Sequence, residues 1–201
     1  MYLYGASGHS KVIIDILKAN DVEIRAVFDD APSVALICDI PVVIPSEEDF
    51  KTQDSLIISI GNNLVRKKIA ERLKANFSNA IHPTAFVSTQ AEIGPGTVIM
   101  PNAVVNTFSV IGKHCIVNSG AVIEHDCVIG DYVHVSPNAA LAGGVVLEEG
   151  CHVGIGAVVI QGIKIGKWAT IGAGAVIVND VPDYAVVVGN PGKIIKHNSP
   201  V

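Results

Sequence analysis

The sequence is poor in aromatic residues, which make up 5% of it, and it holds one tryptophan. Its interior must therefore be filled by aliphatic side chains and alanine, within an apolar fraction of 49%. Its net charge of −5 argues against a non-specific nucleic-acid binder, and no large cluster of lysine and arginine contradicts that. No run reaches the roughly 18–20 apolar residues that a transmembrane segment needs. The opening MYLYGASGHSK lacks a basic stretch followed by an apolar one, so no signal peptide is expected and the cytoplasm is the expected compartment. Cys38, Cys115, Cys127 and Cys151 form no CxxC pair, so neither a disulfide framework nor a metal site is expected. No GxSxG elbow occurs, which leaves no obvious serine nucleophile.

What is present falls into two textures. Residues 1–4 read as a short buried strand, followed by GASGHS at 5–10 and KVIIDILKAN at 11–20, where Val12, Ile13, Ile16 and Leu17 give one helical face. Strand, glycine turn and helix in this order place backbone N–H groups where anions bind. The exposed imidazole of His9 could then reach a phosphate. EIRAVFDD at 23–30 ends in Asp29 and Asp30, placed where a carboxylate can accept from a ribose hydroxyl. The third glycine of the dinucleotide fingerprint is missing, since Ser10 or Lys11 stands there. LIISIG at 56–61 is a third buried strand, and residues 63–76 form an amphipathic helix with Leu64, Ile69 and Leu73 on its apolar side. Residues 1–80 are thus expected to be a short parallel α/β, Rossmann-like domain, about half of a full dinucleotide fold.

From residue 87 every sixth position is aliphatic, sixteen in succession from Val87 to Ile177. Two residues before each stands a mostly small one, including Cys115, Cys127 and Cys151, and glycine often follows directly, as at Gly94, Gly112 and Gly130. A hexapeptide period marks a parallel β-helix. Residues 81–182 form this domain, and at three hexapeptides to a triangular coil of 18 residues the repeat from Val87 to Ile177 makes about five coils. The aliphatic residue points inward, the small one packs near a corner, and glycine or asparagine takes the corner dihedrals. The cysteines then become buried core thiols. Residues 183–201 are left as a short cap and tail.

The stretch GAVIEHDCVIGDYVHV at 120–135 carries the chemistry. His125 and Asp126 supply an imidazole and a carboxylate able to orient it, and a histidine near neutral pH suits a general base. His134 and His152 differ by 18 and should stand one above the other on adjacent coils. His125 lies half a coil from His134, so the two do not obviously meet within one chain but could meet across a subunit boundary. A flat-sided prism suits threefold assembly. A base without a covalent nucleophile points to direct transfer from an activated donor.

The repeat resembles that of the hexapeptide acyltransferases. More narrowly, GASGHSKVIIDIL, FDD, IHPTAFVS, NSGAVIEHDCVIGDYVHVSP and VVGNPGKIIK resemble the sugar O/N-acetyltransferases of the sialic-acid and bacillosamine type. The resemblance implies a single-stranded left-handed parallel β-helix behind the Rossmann-like domain, a homotrimer with sites between subunits, and acetyl-CoA as co-substrate. It also implies His125 as base with Asp126 as its partner. His134 and the Gly143 N–H fall at the thioester, while Ile155, Ala173, Gly174, Gly189 and Lys193 follow the coenzyme. Gly8 and His9 fall near the acceptor's phosphates, Asp29 and Asp30 near its uridine, and Asn118 near the sugar and His125. The implied reaction is acetylation of the 4-amino group of a UDP-linked amino-deoxy sugar. O-acetylation of sialic acid or another surface-polysaccharide sugar is the alternative. Some amino-sugar members carry glutamate where Asp126 stands. A dehydrogenase fits poorly with the missing glycine, and a structural or ice-binding β-helix would call for threonine ladders that are absent.

Overall fold

The computed structural model describes residues 1–50 and 54–200. Its front domain runs β1 (Tyr2–Tyr4), α1 (Gly8–Ala19), β2 (Ala26–Phe28), β3 (Leu36–Ile37), β4 (Ile40–Val43), a short 3-10 helix (Glu47–Phe50), β5 (Ser55–Ile58), α2 (Asn63–Arg72) and β6 (Asn76–Phe77). Among the described residues the strands form one sheet in the order β3-β4-β2-β1-β5-β6. The expected unit was parallel throughout, but β3 pairs antiparallel to β4. Cys38 and Asp39 make this turn in the left-handed region, at φ 49° and 66°.

The first helix begins at Gly8, earlier than expected, so Gly8 and His9 form its first turn rather than the loop before it. Its buried side is Ile13, Ile14, Ile16 and Leu17, whereas Val12, assigned to that face, is 36% exposed. The shift follows from the sandwich in which the helix lies. One side meets Leu3, Val27 and Ile57 of the sheet, and the other meets Ala80, Val98, Met100 and Ile116 of the second domain. Two contact surfaces demand a wider apolar arc than one. Gly5 is the glycine this turn requires, because its φ is +109° and a Cβ would sit 2.5 Å from the Ile60 side chain. At Gly8 a Cβ would meet nothing within 4 Å.

The second domain is a parallel β-helix, and each rung lies 18 residues from the next, as in Val98↔Ile116 and His134↔His152. Its first face starts at Ala80–Ile81 and includes His134–Val135 and His152–Val153. The second face runs from Phe86–Val87 to Val176–Ile177, and the third from Glu92–Ile93 to Lys164–Ile165. Both inward columns form one apolar core, with Ile99, Val117, Val135 and Val153 at 0% exposure and Cys115, Cys127 and Cys151 among the small partners. All four cysteines are free thiols.

The recurrent glycines serve a purpose other than the expected one. The left-handed corner residues stand elsewhere in the repeat and include Asn102, Phe108, His114, Asp126, Tyr132 and Trp168 as well as glycine. Gly94, Gly112 and Gly130 are instead sites of close approach, where a Cβ would fall 2.6–2.8 Å from the coil above. Stacking at strand spacing leaves no room there for a side chain.

The C-terminal segment closes all three faces. Strand Ala185–Val188 extends the first face, and Lys193–His197 folds back antiparallel against it. Val176 N–H donates to Gly189 O and Gly192 N–H to Val176 O on the second face. Val181 pairs with Lys164 and Gly166 on the third.

The aliphatic column sets the stability of this domain. Leu141→Ala, in the middle of the second face, should cost about 2–5 kcal/mol, read as a lowered midpoint in denaturant unfolding.

Candidate active site

His125 and Asp126 occupy the corner between the second and third faces. Asp126 takes φ +60°, and this left-handed turn frees the pair from the alternation of a strand. Its carboxylate reaches His125 Nδ1 at 2.7 Å, with both side chains more than half exposed. A carboxylate on Nδ1 holds the proton there and leaves the Nε2 lone pair outward. The ring lies over Gly143, one coil up, where a Cβ would stand 2.6 Å from Cε1. The Gly143 N–H has no protein acceptor among the described residues. One corner therefore presents a proton acceptor and an unused backbone donor side by side.

His134 belongs to a different place, the cleft between the two domains. Its ring stacks on His152 at 4.9 Å and 11°, as the 18-residue spacing required. Asn118 accepts from Ser119 N–H through Oδ1 at 2.8 Å, so its Nδ2 donates to His134 Nε2 at 3.0 Å. His134 Nε2 is thus an acceptor, and the ring is neutral. Burial first, then the charges of His152, Arg66 and His9, push its pKa down to about 3. Asn118 is therefore a partner of His134, and within one chain it does not reach His125.

His9 was expected to be exposed. It is instead half-buried, because α1 starts at Gly8, three residues before the helix expected from residue 11, and its Nε2 is buried without a partner. Burial and the Arg66 charge push its pKa down to about 4. His114 is likewise pushed to about 4, and His152 is lowered, each by burial first and Arg66 second.

Asp29 binds the glycine turn itself, accepting from Ala6 N–H and Ala31 N–H at 2.9 Å. Asp30 accepts from Tyr4 and pairs with Arg72 at 3.0 Å. Tyr4, Asp30, Ser46, Phe50 and Arg72 line a cavity of about 500 Å³. Ile155, Ala173 and Gly174 stand at the corner between the first and second faces, while Gly189 and Lys193 belong to the C-terminal hairpin. The width of the second face separates that corner from His125 and Gly143, so one chain does not bring the two groups together. That face carries exposed Phe86 on its first rung and exposed Val158 on the rung that follows Ile155.

Sequence reasoning missed Arg66, which is 1% exposed. It lies in the charged run RKK, which reads as a solvated face. Yet Arg66, Ile69, Ala70 and Leu73 are spaced i, i+3, i+4, i+7, and that spacing was the available signal.

Residues 1–73 match the family model described as the PglD N-terminal domain. Residues 90–125, 108–143 and 144–179 match the bacterial transferase hexapeptide (six repeats). Together with the β-helix, these matches define a two-domain hexapeptide transferase. PerB from Caulobacter crescentus, solved with CoA and GDP-perosamine, is 37% identical, with a TM-score of 0.92 over 97% of this chain and 96% of that one. The acetyltransferase domain of PglB from Neisseria gonorrhoeae, solved with acetyl coenzyme A, is 37% identical, with a TM-score of 0.89 over 96% and 98%. The UDP-N-acetylbacillosamine N-acetyltransferase of Bacillus subtilis is 42% identical over 107 residues, which span about half of each chain. The chain belongs to the hexapeptide-repeat, CoA-dependent sugar N-acetyltransferases. No helix among the described residues is long and apolar enough to cross a membrane.

Gly143→Ala tests the close approach at the corner. Its backbone is not left-handed, so the fold should persist while the His125 ring is displaced. We expect turnover to fall by about 10–100-fold with an unchanged melting temperature. The buried histidines predict acid sensitivity. Because His9, His114, His134 and His152 titrate below their ordinary value of 6.5 when folded, the unfolded chain takes up protons first. Stability should be full above about pH 6.5 and fall as the pH drops towards about 4. The denaturation midpoint against pH checks this, and a His9→Gln, His152→Gln double variant should show a shallower decline.

Proposed function

We propose that the chain moves acetyl from acetyl-CoA to the 4-amino group of a UDP-linked amino-deoxy sugar, with His125 as general base. The observation that carries this reading is the corner itself: a carboxylate-oriented imidazole beside an unused N–H donor. His125 Nε2 takes the amine proton as the nitrogen attacks the thioester carbonyl. Asp126 stabilises the imidazolium that forms. The Gly143 N–H donates to the carbonyl oxygen as charge grows on it. His125 then returns the proton to the departing thiolate, so no covalent enzyme adduct is needed.

The chain's own residues fit the co-substrate. Ile155, Ala173 and Gly174 offer an apolar, sterically open corner to a pantetheine arm, and Gly189 and Lys193 follow beyond it. Because one chain holds these groups apart from His125, the reading includes a homotrimer. The His125 corner of one copy faces the Asn118, His134 and Ile155 side of the next. Exposed Val110 and Val128 on the third face, with Phe86 and Val158 on the second, supply apolar surface for that contact. The acceptor occupies the interdomain cleft, with its phosphates at Gly8 and His9 and its nucleoside towards Asp29 and Asp30.

The relative from Bacillus, named for a UDP-sugar, supports the uridine nucleotide. A GDP-linked amino sugar is the second reading, favoured by the full-length likeness to the Caulobacter protein solved with GDP-perosamine. Both are amines, which places O-acetylation of sialic acid behind them.

The test follows CoA thiol release from acetyl-CoA with a UDP-4-amino sugar, a GDP-4-amino sugar and free sialic acid. Turnover with the UDP sugar is the expected result. Turnover with the GDP sugar alone would move the acceptor to guanosine, and turnover with sialic acid alone would overturn N-transfer. In the same assay His125→Ala should lower kcat by about 10²–10⁴-fold and leave the oligomer intact. A wild-type rate would remove His125 from the role of base.

A further inference from the structure

Arg66 is a buried cation whose hydrogen-bonding capacity is fully used. A guanidinium has five N–H donors, and each finds an acceptor. Nε donates to His114 O at 2.7 Å, and Nη1 donates to Ile60 O at 2.9 Å and Gly61 O at 3.1 Å. Nη2 donates to Asn63 Oδ1 at 2.8 Å and to Tyr132 O at 2.9 Å. Asn63 in turn donates through Nδ2 to Gly150 O and Cys151 O, at 3.1 and 3.2 Å.

The solenoid acceptors belong to one corner column. His114, Tyr132 and Gly150 are the left-handed residues of three successive coils. Arg66 and Asn63 therefore span three rungs of the second domain and bind them to the segment that joins β5 to α2. That segment also reaches the proposed acceptor cleft, because the backbone of Gly61 faces the ring of His134. His134 is fixed from its other edge by Asn118. Arg66, with Asn63 beside it, thus helps to set the position of one wall of the cleft relative to the other.

The charge is a second observation. Among the described residues no carboxylate pairs with Arg66, and every acceptor is a neutral oxygen. Burying a cation is costly even when it is hydrogen-bonded. A neutral glutamine could satisfy some of these carbonyls without that cost. What the cation adds is positive potential in a cleft whose other titratable groups, His9, His134 and His152, are neutral. An unmatched buried charge of that sign favours an anionic occupant.

We infer that Arg66 is a positioning residue for the acceptor half of the reaction. It locks the wall at residues 60–63 against three coils, and its unmatched charge draws the acceptor's diphosphate into the cleft. The inference rests on the acceptor site proposed above. It goes beyond that reading in making acceptor use, and not coenzyme use, depend on a residue that touches neither.

Arg66→Lys keeps the charge with fewer donors, and Arg66→Met removes both. The measurements are separate KM values for acetyl-CoA and for the nucleotide amino sugar, UDP and GDP affinity by calorimetry, and hydrogen exchange of the 60–63 amides. We expect KM for the nucleotide sugar to rise about tenfold or more in Arg66→Met, with partial recovery in Arg66→Lys. KM for acetyl-CoA should stay within about twofold, and exchange at 60–63 should quicken. Equal losses for both substrates would overturn the inference, as would unchanged KM values in both variants. If Arg66→Met does not fold, Arg66→Lys and Asn63→Ala decide it by the same split. Should the wild-type protein acetylate no nucleotide sugar, the functional reading fails. UDP and GDP binding in the same variants then judges Arg66 independently, and unaltered affinity would overturn its role.

Discussion

Stacking of successive coils at strand spacing governs the rest of this molecule. Each coil leaves its inner surface and its strand edges unsatisfied until a neighbour covers them, so register must be held across the whole column. The aliphatic residue at every sixth position enforces that register, because a slip of one residue would turn the inward column outward. The glycines that permit close approach and the left-handed corners are subordinate to the same spacing. So is the alignment of His134 over His152, which no local sequence preference would produce. The proposed chemistry inherits its geometry from the stacking: His125 can lie over Gly143 because one coil places them a single rung apart.

The corners supply what the faces cannot. Along a flat face every backbone group is engaged by the rung above or below, and side chains alternate in and out. At a corner the backbone turns through the left-handed region, neighbouring side chains can converge, and some N–H groups are released. The His125–Asp126 contact and the unused Gly143 N–H both depend on this release. At the opposite corner the same geometry releases carbonyls instead, and Arg66 and Asn63 take them up. One repeat unit thus yields the corner proposed for the reaction and a docking corner, distinguished by the side chains placed there.

Much of this could be read in the sequence, because the hexapeptide period is long and unbroken. The inward columns, the buried thiols and the His134–His152 stack follow from counting residues. The His125–Asp126 pair was legible as chemistry, though only the φ of Asp126 explains how adjacent residues can meet. Less could be read in the front domain, where short elements carry few periods. Val12 and Ile14 exchanged roles because α1 is covered on two sides, and one of those sides comes from residues far along the chain. The same distance in sequence hid Arg66, whose partners at His114 and Tyr132 lie 48 and 66 residues away. The placing of Asn118 near His125 came from the family resemblance, and within one chain its hydrogen-bond partner is His134.

The hairpin at the C-terminal end has a consequence for growth. A stack of identical rungs is in principle an open polymer, since its last coil offers the same template that each earlier coil offered to its successor. Here the final rung of each face is already bonded, through Val187 on the first, Val176 on the second and Lys164 on the third. The strand that finishes the first face runs the wrong way to seed another parallel coil. At the other end the front domain covers a flank rather than the pole, since α1 packs on Ala80, Val98, Met100 and Ile116 of the first face, and the inward Ile81, Val87 and Ile93 of the first coil are only half-buried. The pole at the hairpin is therefore blunt, so no further parallel coil can add beyond it.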